Sequence, residues 1–135
     1  MDYIMKTQEG ILVYTSGQCQ PYKKGIKQFL NELLIEEYAT YDSRMETIKK
    51  RHNMHRNIPI YINDKYCFYT IHSLRHEAAI CINYHRVLSI RNTSQNTTEV
   101  IFKNLKILKI AVPYAYVIRK HMRTGWFIHN QLKEH

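Results

Sequence analysis

Ile58-Pro59-Ile60-Tyr61-Ile62-Asn63-Asp64-Lys65-Tyr66-Cys67-Phe68-Tyr69-Thr70 is the stretch at which the chain changes its period. Upstream, apolar residues recur every three or four positions. From Ile58 they alternate, with Ile58, Ile60 and Ile62 on one side and Pro59 and Tyr61 on the other, which is the pattern of a half-buried strand. Asn63-Asp64 supplies a turn, and Lys65 to Thr70 returns as an aromatic strand. Pro59 has no N–H to give to a ladder, so this hairpin places it at a sheet edge or at a strand start.

Working back from the hairpin, Asp42 to Asn53 predicts a helix. Ser43 followed by Glu46 fits a capping box, and Arg44 to Asn53 runs without Gly or Pro until the chain must extend ahead of Pro59. Met45, Ile48 and His52 share one face, while Arg44, Lys49, Lys50, Arg51 and the following Arg56 form a basic surface off it. Gly25 to Tyr38 predicts the preceding helix, with Ile26, Phe29, Leu30, Leu33 and Leu34 in one stripe and Glu32, Glu36 and Glu37 solvated. Gly10 to Tyr14, ahead of Ser16-Gly17, reads as a short buried strand.

Downstream, Ala79 to Arg91 reads as one long strand with Ile80, Ile82, Tyr84, Leu88 and Ile90 on one face. After a polar turn at Asn92 to Thr97, Val100 and Phe102, the Lys103-Asn104 turn, and Leu108, Ile110 and Val112 predict a second hairpin. Pro113 then suits the first position of a closing helix whose packed face is Tyr114, Val117, Ile118, His121 and Met122. Arg119, Lys120 and Arg123 project together from its other side. Gly125 is expected to end the helix in a left-handed turn, with Trp126 and Phe127 capping the core. The fold class is therefore α+β: an antiparallel sheet of four or five strands, an N-terminal helical pair and a C-terminal amphipathic helix, in a single domain spanning residues 1–135.

Composition narrows the function classes. An apolar fraction of 44% and 11 tyrosines in 135 residues describe a chain that buries a core, not a disordered one. Lys and Arg total 20 against 11 Asp and Glu, a formal charge of +9, so a polyanion is the expected large partner. Cys19, Cys67 and Cys81 are odd in number and no secretory leader precedes them, so a reducing cytoplasm is expected and Asn92-Thr93-Ser94 and Asn96-Thr97-Thr98 read as turns, not glycosylation sites. No apolar stretch reaches the length of a membrane span, and no membrane partner is expected. Cys67, His72, His76 and Cys81 have compact ligand-like spacing without a Cys-x2-Cys pair, and they are read as packing and surface residues; no metal or cofactor is expected. Without a Gly-rich phosphate loop, a Gly-x-Ser-x-Gly elbow or paired carboxylates, the chain is not read as an enzyme, and no catalytic residue is assigned.

Tyr41-Asp42-Ser43-Arg44, Asn57-Ile58-Pro59-Ile60, Thr98-Glu99-Val100-Ile101-Phe102 before Asn104, Pro113 with its Tyr-containing follow-on, and Arg123-Thr124-Gly125-Trp126 occur in an order and spacing that resembles the ComK family of competence transcription factors. The resemblance runs from Phe29 to Phe127. It departs from the family at Asp42-Ser43, where a Gly usually precedes the basic residue, and after Gln131, where a long extension used for regulated proteolysis is expected and not seen. The resemblance implies a bacterial, cytoplasmic and nucleoid-associated activator that binds double-stranded A/T-rich boxes as a homo-oligomer, with RNA polymerase as a further partner. A second expectation is a shortened ComK-like interaction protein that modulates a full-length relative. For the first, Lys49, Lys50, Arg119, Lys120 and Arg123 are expected to hold phosphates, and Arg44, Arg51 or Arg56 to enter a narrow A/T minor groove. A helix-turn-helix, with Ile26 to Tyr38 supporting and Arg44 to Asn53 in the major groove, is the competing geometry.

Overall fold

The computed structural model describes residues 1–131. Among these residues, nine strands form two antiparallel sheets. The larger has the order β3-β2-β1-β6-β5-β4, built from β1 (Tyr3–Lys6), β2 (Ile11–Thr15), β3 (Gln18–Tyr22), β4 (Ile60–Tyr61), β5 (Cys67–Ile71) and β6 (Ile80–Asn83). The smaller is β7 (Val87–Ser94), β8 (Thr97–Phe102) and β9 (Ile107–Ile110), in chain order. The helices are α1 (Ile26–Leu34), α2 (Tyr41–His52) and α3 (Tyr114–Trp126). The α+β class with a helical pair and a closing helix is as the periodicity predicts, and the chain carries more strands than the pattern alone reveals.

Alternation divides the large sheet into two faces. Ile4, Ile11, Val13, Phe68 and Cys81 point to one, where Ile26, Leu30 and Leu34 of α1 cover them, joined by Met45 of α2. Tyr69, Ile71, Ile80 and Ile82 point to the other, where they meet Val100, Phe102, Leu108 and Ile110 of the small sheet and Val117 of α3. Tyr3 stacks between Tyr14 at 4.2 Å and Phe102 at 5.2 Å, joining the two sheets. A third cluster, Ile48, Met54 and Phe127, fastens α2 to the segment after α3.

Residues 79–91 are two strands, not one. Asn83 ends β6 because its side chain is committed elsewhere: the amide nitrogen donates to the carbonyls of Met1 (2.9 Å) and Lys65 (3.2 Å), and Oδ1 accepts from the N–H of Cys67 and of His85 (both 3.3 Å). A 3₁₀ turn over Tyr84–Arg86 then carries the chain into the second sheet. Asp2 ties the sheets polarly. It is buried and accepts from Arg86 Nε and Asn104 Nδ2, each at 3.0 Å. Asp2→Ala leaves both donors without their acceptor and is expected to cost roughly 2–3 kcal/mol, read as a lowered urea midpoint at unchanged slope.

Local differences have plain causes. The cap of α2 lies three residues earlier than the Ser43/Glu46 pattern predicts: Thr40 Oγ1 accepts from Ser43 N–H (3.1 Å) and Ser43 Oγ accepts from Thr40 N–H (2.9 Å). Pro113 is the N-cap of α3, outside its first turn. Gly125 does not stop α3, which continues into a π-helical turn at Phe127–Gln131. A Cβ at Gly125 would lie 2.7 Å from Tyr84 Oη, so the glycine serves close approach of a ring to the helix. Met122 is exposed at 66%, off the packed face to which periodicity assigns it, and Trp126 is also exposed whereas Phe127 is fully buried.

Candidate nucleic-acid interface

The basic residues of α2 diverge because its inward stripe, buried Ile48 with half-buried Tyr41, Met45 and His52, runs along the middle of the packed side. Arg44 and Arg51 flank that stripe on one side. They line a shallow pocket of ≈ 390 Å³ with Tyr38, Thr47 and Tyr61, and the Arg44 guanidinium lies 5.4 Å over the Tyr61 ring. Lys49 and Asp42 flank it on the other side. Lys50 points outward, beside Glu46 one turn earlier at 3.5 Å. Lys49, Lys50, Arg51 and Arg56 are all exposed, and the C-terminal position of the first three suits the negative end of the helix dipole. That local effect is worth tenths of a kcal/mol per charge and does not by itself call for so many cations.

On α3 the predicted trio separates. Arg119 and Arg123 share a face one turn apart, the Arg123 guanidinium lying 5.3 Å over the Trp126 ring. Lys120 leaves that face: its Nζ donates to Thr70 Oγ1 at 3.3 Å and sits 5.2 Å over the Tyr116 ring. The expectation that Arg119, Lys120 and Arg123 project together is corrected, since the 3.6-residue period turns Lys120 toward the sheet.

Lys120 and Lys49 instead meet across a groove of ≈ 810 Å³ between α2 and α3. Its other cations are Lys6, Lys27 and Arg75, and its one acid, Asp42, pairs with Lys27 at 2.9 Å. Tyr41, Tyr69 and Tyr116 line the groove beside them. Lys6 and Arg75 are the residues that sequence reasoning missed. They stand 69 positions apart and meet because β1 and β6 pair, with Lys6 Nζ donating to the carbonyls of Leu74 and Arg75 at 3.3 Å each.

The Cys67/His72/His76/Cys81 set does not converge. Cys81 pairs with Thr70 in register, and Cys67, three residues before Thr70, points to the opposite face of the sheet. Both are buried thiols pushed up to about 12 by desolvation. His72 and His76 stack on each other at 4.1 Å in the loop after β5.

One titratable group is set by the fold. His121, between the Tyr69 hydroxyl (3.1 Å from Nδ1) and the Tyr84 ring (4.6 Å), is lowered to about 4 by burial. The unfolded chain takes up this proton near pH 6.5 and the folded chain only near 4, so stability is full above 6.5 and falls as the pH drops from 6.5 toward 4. Allowing for solvent that still reaches the ring, the loss is about 2 kcal/mol across that window. His121→Gln is expected to flatten the dependence, as checked by urea unfolding at successive pH values.

No helix among the described residues is long and apolar enough to cross a membrane. No curated protein and no solved structure gives a significant match to the chain. The ComK protein family matches residues 16–134, which takes in β3 to β9 and all three α-helices. With that span of the sequence matched, the chain belongs to the ComK family of competence regulators.

Proposed function

We propose that the protein binds A/T-rich double-stranded DNA as an oligomer and activates transcription from it. The observation that carries the proposal is the run of exposed cations over the last turn of α2 and just after it, Lys50, Arg51 and Arg56, on a chain of formal charge +9. Each cation placed on a phosphate releases condensed counterions, which supplies affinity without sequence information. Sequence preference then comes from shape. A narrow A/T minor groove concentrates negative potential and draws in arginine, and Arg51 and Arg56, both exposed, are better placed to enter it than Arg44, whose guanidinium is held over Tyr61. Arg119 and Arg123 offer a second phosphate-contacting face.

A helix-turn-helix fits less well. Such a motif presents the N-terminal residues of its second helix to base edges. In α2 that end carries exposed Asp42 and Ser43, and Lys49, Lys50 and Arg51 lie at the other end, while Arg44 is held over Tyr61. Self-association is supported by Leu88, Leu105 and Ile107, all more than half exposed on or beside the small sheet.

Replacing A·T by I·C pairs tests the groove assignment, because the swap nearly preserves the minor-groove pattern and changes the major-groove pattern. Binding is expected to tolerate the swap and to be displaced by a small minor-groove ligand. Loss on the swap with indifference to the ligand would place α2 in the major groove.

A further inference from the structure

We propose that the groove between α2 and α3 takes an extended acidic segment of a partner protein, added as a strand to the open half of β5. The larger sheet is unfinished on this side. β4 pairs with β5 only at Ile60↔Phe68 and Tyr61↔Cys67, and Ile58, the residue that the same register would set opposite Thr70, lies outside the strand.

The backbone directions on β5 follow from its neighbours. Asn83 N–H donates to the Asp2 carbonyl (2.9 Å) and Lys6 N–H to the Ala79 carbonyl (3.0 Å), which turns residues 79, 81 and 83 toward β1. Ile80 and Ile82 therefore bond β5, at their register partners Ile71 and Tyr69. On the other side, Ile62 N–H donates to the Tyr66 carbonyl (2.9 Å) and His72 N–H to the Tyr116 hydroxyl (3.1 Å), so even-numbered residues of β5 face away from β6. The N–H and C=O of Thr70 thus point into the groove, past the last residue of β4. This donor and acceptor form the pair that one facing residue of an added antiparallel strand satisfies, and side-chain pockets beside them set its specificity.

Charge selects the strand. Among the described residues, Lys6, Lys49, Arg75 and Lys120 line the groove without a carboxylate partner, since its single acid is already bridged to Lys27. A segment alternating carboxylates with apolar residues meets these cations and the groove tyrosines. Duplex DNA lacks the alternating amide pattern that the edge requires, and the cations assigned to it, Lys50, Arg51, Arg56, Arg119 and Arg123, do not line the groove.

The test uses the full chain and a fluorescein-labelled, end-capped octapeptide alternating Glu and Val, followed by anisotropy. Expected are saturable binding, at least about tenfold weakening when alternate peptide amides are N-methylated, about tenfold weakening by Arg75→Glu, and slowed hydrogen exchange at the Thr70 amide. Arg75 is an exposed loop residue, so this variant is expected to stay folded. Peptide binding should survive combined Lys50→Ala, Arg51→Ala and Arg56→Ala substitution. Absence of saturable binding, equal binding of the N-methylated peptide, or unchanged exchange at Thr70 overturns the proposal. So does displacement of the peptide by duplex DNA together with loss of duplex binding in Arg75→Glu, which would assign the groove to DNA.

Discussion

Phe127→Ala is expected to destabilise the protein by about 3–5 kcal/mol, the range for emptying a buried aromatic site. Phe127 is fully buried, packs with Ile48 and Met54, and meets the His52 ring edge-on at 5.3 Å and the Tyr61 ring at 6.3 Å. It is the point at which the segment after α3 holds α2. Urea unfolding measures the loss, and Phe127→Leu, which refills most of the volume, is expected to recover more than half of it. A cost below about 1 kcal/mol for the alanine variant would show that α2 is not anchored here.

The second large effect is on DNA binding. Combined Lys50→Ala, Arg51→Ala and Arg56→Ala substitution is expected to lower the magnitude of the salt slope by roughly two to three, at about 0.9 for each phosphate no longer neutralised, with affinity falling at least about tenfold at low salt. All three side chains are exposed, so the unfolding curve should barely move. Replacing Arg119 and Arg123 in the same way asks whether α3 adds a second phosphate-binding face.

What is legible in the sequence follows from what alternation and helical period can express. α1 is readable because Ile26, Leu30 and Leu34 repeat on one stripe over a single buried face. β1 and β3 are not. β1 is four residues long, and β3 is an edge strand, exposed over Gln18–Pro21, so neither shows a buried alternation. The long strand reads straight through Tyr84 because apolar spacing stays in phase across the 3₁₀ turn, and only the hydrogen bonds of Asn83 reveal the change of sheet. Gly125 reads as a stop because nothing near it in sequence announces Tyr84, 41 positions away.

The candidate site shows the same division. The cations of α2 and α3 are all visible as residue types, yet helical phase separates Lys49 from Arg51 and Lys120 from Arg119. The large groove is invisible in the sequence, since strand pairing brings Lys6 and Arg75 together and helix packing sets Lys49 and Lys120 beside them, neither of which residue spacing expresses. The family resemblance spans Phe29 to Phe127, and the family match extends further, over residues 16–134.

Recognition of A/T-rich DNA is measured by equilibrium binding of the purified protein to an A/T-rich duplex and to a G/C-rich duplex of equal length, titrated with salt. Binding is expected to be tighter to the A/T-rich duplex, with a log–log salt slope of several negative units on both, because phosphate contacts are shared and shape readout is not. Equal affinity for the two duplexes, or a slope near zero, would contradict it.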